Sequence, residues 1–186
     1  VVVEGRKQHL RGVMLDRLGR HDEAFAAFVA MNEHWKTDPS QPQERARQYR
    51  ETVRDNAALL SKNWVAQWTP FTTPLNRPTP VFLVGFPRSG TTLLDTMLMA
   101  APHVVVLEEE PFIAEVERDV GGFAAMASLS ETQLVAARNS YFDKVRSLGP
   151  LADDALIVDK QPMHLNKVPA IRRLFPDAHF ILALRH

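Results

Sequence analysis

The sequence predicts an α/β domain with a parallel sheet and flanking helices, preceded by an α-helical segment. Helical periodicity dominates the first 68 residues, a run of Pro and Thr follows, and from residue 81 short apolar runs alternate with helical segments. Strands that alternate with helices are joined by crossover connections, which is the pattern of a parallel sheet. We therefore divide the chain into a helical segment (1–68), a linker (69–80) and an α/β region (81–186).

The composition is that of a globular protein. Of the 186 residues, 45% are hydrophobic and 24% are charged, which excludes wholesale disorder. Lys plus Arg and Asp plus Glu both number 22, so bulk charge favours neither nucleic acid nor a membrane surface as a partner. The absence of cysteine excludes disulfides, thiolate metal sites and a Cys nucleophile from this sequence. No apolar run reaches the ~20 residues of a membrane span and no targeting segment is visible, so we expect a cytoplasmic protein.

In the helical segment, apolar residues recur every three or four positions. This spacing predicts three helices, which run roughly over 4–18, 22–35 and 43–67. The first two resemble one tetratricopeptide repeat (TPR), because Gly12, Ala24 and Phe28 fall at its small, small and aromatic positions. The first tryptophan and the closing proline of the repeat are absent in register, and a plain helical hairpin is the alternative. A single repeat cannot bury its own face, so we expect this segment to stack on another helix, bind a protein or self-associate.

The α/β region contains four short apolar runs of the kind that form buried parallel strands. They cover 81–84, 104–107, 156–158 and 180–184. Helices are expected over 91–101, 130–145 and 165–174. Ser130 followed by Gln133 is the pattern of a capping box at the start of the middle helix.

Residues 85–92 follow the first strand and open the next helix, with the Gly-x4-Gly spacing of a phosphate-binding loop. This placement turns the first N–H groups of the helix toward an anion. Thr91 stands where such loops carry a Lys that reaches the outer phosphates beside magnesium, which argues against an ordinary ATPase or kinase. Arg88, with the hydroxyls of Ser89, Thr91 and Thr92, instead suits a compact anion held without a metal. A plain turn before a capped helix is the alternative.

The sequence VGFPRSGTTLL at 84–94 resembles the 5′-phosphosulfate loop of sulfotransferases that use 3′-phosphoadenosine 5′-phosphosulfate (PAPS). The resemblance covers 81–186, and it is also specific at 108–111 (EEEP) and 158–162 (VDKQP). More narrowly, the chain is similar to tyrosylprotein sulfotransferases and to bacterial proteins that join tetratricopeptide repeats to a sulfotransferase domain. The resemblance implies the P-loop-like sulfotransferase fold, transfer of a sulfuryl group from PAPS as co-substrate to a hydroxyl acceptor, and no metal.

The resemblance also implies the roles of individual residues. The residues that would hold the 5′-phosphosulfate are Arg88, Ser89, Gly90, Thr91 and Thr92. The catalytic base would be Glu109. Lys160 would be the lysine that stabilises the leaving group, and Arg185 would be the arginine that binds the 3′-phosphate. The family often has Asp after this arginine, where the present chain has His186.

Glu109, Lys160 and Arg185 each follow a predicted strand, and the carboxyl ends of parallel strands form the ligand-binding edge of a sheet. Simpler interpretations remain open for two of them. Glu109 would then belong to a solvated strand end, with His103 as an alternative base, and Lys160 would be a surface lysine paired with Asp159.

Two other functions also stay open. One is a nucleotide kinase or NTPase with an altered phosphate loop, and the other is a non-catalytic TPR interaction protein. The acceptor is open among tyrosine in a peptide, a glycan and a small molecule. Related sulfotransferase domains are longer than 81–186, so we expect the domain to be C-terminally incomplete. Such a fragment would bind donor poorly and catalyse nothing by itself.

Overall fold

A computed structural model describes residues 2–69, 71 and 78–185. Much of the predicted linker (70 and 72–77) and His186 lie outside the described residues. The chain forms two compact units, Val1–Ala57 and Ala58–His186. Residues 58–68 lie in the second unit, where Trp64 is buried with its ring stacked on Phe123, 5.0 Å between centroids.

The first unit contains helices α1 (Val2–Arg17) and α2 (His21–Lys36), which form a helical hairpin, and most of α3 (Pro42–Leu59). The hairpin closes over a small core in which Leu15, Ala24 and Ala27 are buried and Phe28 packs against them. Gly12 allows the close approach of the two helices, since a Cβ at this position would lie 2.7 Å from the Phe28 ring.

The single helix predicted over 43–67 is wrong, because the chain breaks after α3 and restarts as α4 (Lys62–Ala66). Ser61 causes the break: its backbone is extended, with φ −135° and ψ 164°, and its Oγ accepts a hydrogen bond from the Trp64 N–H at 3.1 Å. Serine is a favoured N-cap because its hydroxyl satisfies one of the free N–H groups of the first turn.

The second unit is built on a four-stranded sheet in which every neighbouring pair is parallel, as predicted. Its strands are β1 (Val81–Gly85), β2 (Val104–Glu108), β3 (Leu156–Lys160) and β4 (His179–Ala183), in the spatial order β2-β3-β1-β4. Lys160, at the end of β3, is paired with Leu83 of β1 on one side and with Glu108 of β2 on the other.

Four helices accompany these strands: α5 (Thr91–Leu98), α6 (Phe112–Asp119), α7 (Glu131–Ser147) and α8 (Val168–Leu174). The sequence prediction contained no α6, which is only eight residues long and follows Pro111. The capping box at the start of α7 is present, with Ser130 and Gln133 in both of its roles. Residues 165–167, predicted as helix start, lie in the 3₁₀ segment Pro162–Lys167. No helix within 2–69 or 78–185 has the length and apolar character needed to cross a membrane.

The hydrophobic core lies on one face of the sheet, where Phe82 and Val84 of β1 pack with residues of α6, α7 and α8. Side chains alternate along a strand, so Leu83 lies on the opposite face. The same alternation separates Asp159 from Lys160. Asp159 bonds Tyr141 of α7, whereas Lys160 pairs with Asp95 of α5.

Candidate active site

A cleft of about 400 Å³ lies at the carboxyl ends of β1, β3 and β4. β1 and β3 are neighbours in the sheet, and the connections that follow them run in opposite directions. After β1 the chain crosses to β2, beyond β3, and after β3 it crosses to β4, beyond β1. Connections that depart from neighbouring strands in opposite directions leave a crevice between them, and such switch points bind ligands in α/β proteins. The lining residues are Pro87, Arg88, Gly90, Thr91, Thr92, Glu109, Gln161, Pro162, Met163 and Arg185.

The loop between β1 and α5 leaves the first turn of α5 open to this cleft. Gly90 is the N-cap residue, with a left-handed φ of 95°, and it provides no side-chain cap for the free N–H groups behind it. Arg88 also has a positive φ, 70°, which is uncommon for a residue other than glycine. Uncapped N–H groups at a helix start, with Arg88 beside them, form an anion-binding arrangement.

Gly85 and Ser89 pack against each other at the base of the loop. A Cβ on Gly85 would lie 2.7 Å from Ser89 Oγ and 2.8 Å from the Ala183 carbonyl oxygen, so no larger residue fits without displacing the loop or β4. The Ser89 hydroxyl is buried and has no hydrogen-bond partner among the described residues. An orphaned hydroxyl in a loop of this kind fits an anionic ligand group that would accept its hydrogen bond.

Lys160 is fully buried and its ammonium is surrounded by three carboxylates. Its Nζ lies 3.1 Å from Glu108 Oε1, 3.2 Å from Glu109 Oε1 and 3.2 Å from Asp95 Oδ2. Burial by itself lowers the pKa of Lys160, but the contacts with the carboxylates of Glu108, Glu109 and Asp95 outweigh it and raise that pKa above its ordinary value. Lys160 is therefore a fixed positive charge at neutral pH, and its assignment as a surface lysine paired with Asp159 is wrong.

Glu109 follows β2 in a left-handed backbone conformation and lines the cleft. Its φ is 57°, and its N–H donates to the Lys160 carbonyl at 2.8 Å, so the pairing of β2 with β3 extends one residue beyond β2. Its side chain is 56% exposed, which leaves the carboxylate accessible from the cleft even while it contacts Lys160. Glu108, which the sequence left without a role, contacts the same ammonium just as closely.

A second polar cluster lies on the opposite face of β3. The Tyr141 hydroxyl donates to Asp159 Oδ2 at 3.0 Å, and His164 Nδ1 lies 3.5 Å from Asp159 Oδ1. Burial raises the pKa of Asp159 to about 7, aided by the charge of Glu110 and opposed by the Tyr141 hydrogen bond. Burial and the positive charge of Lys167 lower the pKa of His164 to about 4. None of these groups lines the cleft.

The structure brings most of the predicted site residues together. Those that line the cleft are Arg88, Gly90, Thr91, Thr92, Glu109 and Arg185. Ser89 lies at the base of the loop, and Lys160 is in direct contact with Glu109. The Arg185 guanidinium lies 3.5 Å from the Arg88 carbonyl oxygen, which brings it beside the loop.

His103 does not belong to the cleft. It precedes β2, whereas the cleft lies at the carboxyl ends of the strands, and its ring faces Asp154 at 3.6 Å. The geometry thus excludes His103 as an alternative base. Asp95 was missed by the sequence analysis, although its position four residues after Thr91 places both on the same helix face.

Residues 80–186 match the model of the Sulfotransferase family. An uncharacterized protein of Aquifex aeolicus (strain VF5) is 26% identical over 180 residues, which cover 90% of this chain and 23% of that protein. The chain thus spans about a quarter of the length of this curated relative. Because the matched region is more than half of the chain and contains the loop, β3 and the whole cleft, the chain belongs to the sulfotransferase family.

Proposed function

We propose that this chain carries the donor-binding and catalytic residues of an enzyme that transfers a sulfuryl group from PAPS to a hydroxyl acceptor. The observation that supports the proposal is one juxtaposition at the carboxyl edge of the sheet. An anion-binding helix start faces the cleft, and beside it the carboxylate of Glu109 lies 3.2 Å from the buried ammonium of Lys160. Base, positive charge and anion site are the three requirements of sulfuryl transfer to a hydroxyl.

The loop would bind the anionic end of the donor. The N–H groups of Thr91 and Thr92 lie at the positive end of α5, and Arg88 contributes a guanidinium that forms paired hydrogen bonds to oxyanions. The unpartnered Ser89 hydroxyl adds a further donor. Arg185, next to Arg88, would bind the 3′-phosphate that distinguishes PAPS from simpler adenine nucleotides.

PAPS supplies an activated sulfuryl group joined to a phosphate oxygen. When it is transferred, a bond forms between sulfur and the acceptor oxygen, the bond from sulfur to the phosphate oxygen breaks, and the acceptor hydroxyl loses its proton. Glu109 would take that proton on a carboxylate oxygen. Lys160, held protonated, would stabilise the negative charge on the departing phosphate oxygen.

In the structure Glu109 and Lys160 are paired with each other, so both must partly separate before they act. The exposure of the Glu109 side chain, 56%, allows its carboxylate to rotate away from Lys160 into the cleft. Glu108, also about half exposed, has the same freedom. The pair is therefore a resting arrangement that substrate binding would open.

A kinase or NTPase is less well supported. Thr91 stands at the position of the usual phosphate-loop Lys. The buried cation of this site comes instead from β3, at Lys160.

The helical hairpin of α1 and α2 would serve as a TPR-like element that recruits a protein acceptor or a second copy of the chain. The packing of Gly12 against Phe28 and the left-handed Gly19 between the helices support the repeat interpretation. The proposed acceptor is a hydroxyl on a peptide tyrosine, a glycan or a small molecule.

Sulfate transfer from labelled PAPS by the full-length protein tests this function, with a tyrosine peptide, an oligosaccharide and a small phenol as acceptors. We expect Glu109→Gln and Lys160→Met to lower kcat by ~10²–10⁴-fold, the usual scale of a general base or charge-stabilising group. Asp143→Asn, at an exposed position of α7, serves as the control and should match the wild type. Wild-type rates in both site variants would refute the assigned roles.

A further inference from the structure

Asp95 is a buried carboxylate that the proposed chemistry leaves without a role. It lies on α5 and is 1% exposed, on the same helix face as Thr91. Its Oδ2 lies 3.2 Å from Lys160 Nζ, and both side chains are almost completely removed from water. A buried charge is stable only with an opposite charge close by, so each of these groups requires the other.

Of the three carboxylates around Lys160, only Asp95 is a permanent partner. The side chains of Glu108 and Glu109 are 55% and 56% exposed, and either carboxylate gains solvation by water when it leaves the ammonium. The Asp95 side chain is 2% exposed and has no such alternative. When Glu109 turns toward a substrate, the charge of Lys160 remains balanced by Asp95.

We propose that Asp95 is a positioning residue that holds the Lys160 ammonium in place and charged, so that Glu109 is free to leave it and accept a proton. This inference rests on the proposed function of the cleft, which gives Lys160 and Glu109 their roles. Asp95 does not line the cleft and acts only through Lys160.

The position of Asp95 on α5 connects the two halves of the site. The same helix begins with the open N–H groups of Thr91 and Thr92 and carries Asp95 one turn later. The element that would bind the donor anion thereby also fixes the lysine that would stabilise its leaving group. The position of the donor-binding N–H groups relative to Asp95 is thus fixed by one turn of α5.

The first test uses the substrate-free, full-length protein with ¹⁵N-labelled lysine, in which Lys160→Met assigns the Lys160 ammonium signal. We expect this signal to exchange slowly with water in the wild type, because the ammonium is buried, donates to Glu108 and Glu109 and is paired with Asp95. In Asp95→Asn the pKa of Lys160 should fall by ~1–3 pH units, the usual effect of losing a close opposite charge, and its signal should exchange faster. Asp143→Asn should leave the signal unchanged. An unchanged Lys160 signal in Asp95→Asn would overturn the proposal.

The second test separates kcat from KM. Asp95→Asn should lower kcat by at least ~10-fold, the scale on which supporting residues act on a site, with the KM for PAPS within ~2-fold of the wild type. Asp95→Glu, which keeps the charge, should recover part of the loss. Equal kcat in wild type and Asp95→Asn would contradict a positioning role.

If Asp95→Asn does not fold, Asp95→Glu decides the question alone. It moves the charge by one methylene, so both the Lys160 signal and kcat should change, and no change in either would overturn the proposal. If the wild type transfers no sulfuryl group, the proposed function fails, while the ammonium signal still reports whether Asp95 holds Lys160.

Discussion

Asp159 and His164 are buried neighbours whose protonation preferences oppose each other, and replacing either one should expose the pH dependence of the other. Burial raises the pKa of Asp159 from 3.8 to about 7 and lowers that of His164 from 6.5 to about 4. Both side chains are almost fully buried, at 0% and 4% exposure, so solvent screens these shifts little.

The two shifts have opposite consequences for stability. Between pH 4 and 7 the folded chain holds a proton on Asp159 more tightly than the unfolded chain. The stability that Asp159 contributes is therefore complete below about pH 4 and is lost as the pH rises through 7. For His164 the unfolded chain binds the proton more tightly, so its contribution is present above pH 6.5 and is lost as the pH falls toward 4. At 1.36 kcal/mol per pH unit these contributions are about 4 kcal/mol for Asp159 and about 3 kcal/mol for His164. Since one is lost over the pH range in which the other is gained, their changes with pH nearly cancel in the wild type.

Urea unfolding followed by tryptophan fluorescence between pH 4 and 7 measures each contribution as the difference between variant and wild type. For Asp159→Asn, which still accepts the Tyr141 hydrogen bond, the free energy of unfolding relative to the wild type should rise by about 4 kcal/mol across this range. For His164→Asn it should fall by about 3 kcal/mol between pH 4 and 6.5. A difference that stays constant with pH in both variants would refute the reasoning.

Three further variants test the packing of the loop and the core. Ser89→Ala removes an unpartnered hydroxyl, so the free energy of unfolding should stay within ~0.5 kcal/mol of the wild type, while calorimetry should show ~1 kcal/mol weaker binding of 3′-phosphoadenosine 5′-phosphate. Gly85→Ala should lower the free energy of unfolding by ~1–3 kcal/mol, because its Cβ meets the Ala183 carbonyl, and an unchanged midpoint in urea would contradict this. Arg173→Lys should lower the free energy of unfolding by ~1–3 kcal/mol, since the buried guanidinium donates to the carbonyls of Met126, Thr69 and Leu129 and lysine cannot form all three bonds. Equal stability of this variant and the wild type would show that these bonds are dispensable.

The parts of the site that the sequence could predict are those fixed by strand ends. The Gly-rich spacing after β1 located the loop, and Lys160 and Arg185 could be placed because parallel strands end at a common edge. The four strands were recognised because buried parallel strands are short, continuous apolar runs.

The parts that the sequence could not predict depend on tertiary contacts. Whether Asp159 or Lys160 lies on the face of the sheet that carries α5 is decided by which helix packs on which face, and a single sequence does not give this information. The left-handed φ of Glu109 could not be predicted, because glutamate has no preference for that conformation. The pairing of Asp95 with Lys160 joins residues 65 positions apart. The sequence indicates only that Asp95 lies one helical turn after Thr91 and so on the same helix face.

Thermal unfolding of the full-length protein with 3′-phosphoadenosine 5′-phosphate, and separately with ATP and magnesium, tests the central claim most directly. We expect the first nucleotide to raise Tm and the second to leave it unchanged, because the loop lacks the usual Lys and the site offers Arg88 and Arg185 instead. Arg88→Ala should weaken nucleotide binding by ~1–3 kcal/mol and reduce the rise in Tm. Stabilisation by ATP with magnesium alone, or an undiminished rise in Arg88→Ala, would contradict a PAPS-type donor site in this cleft.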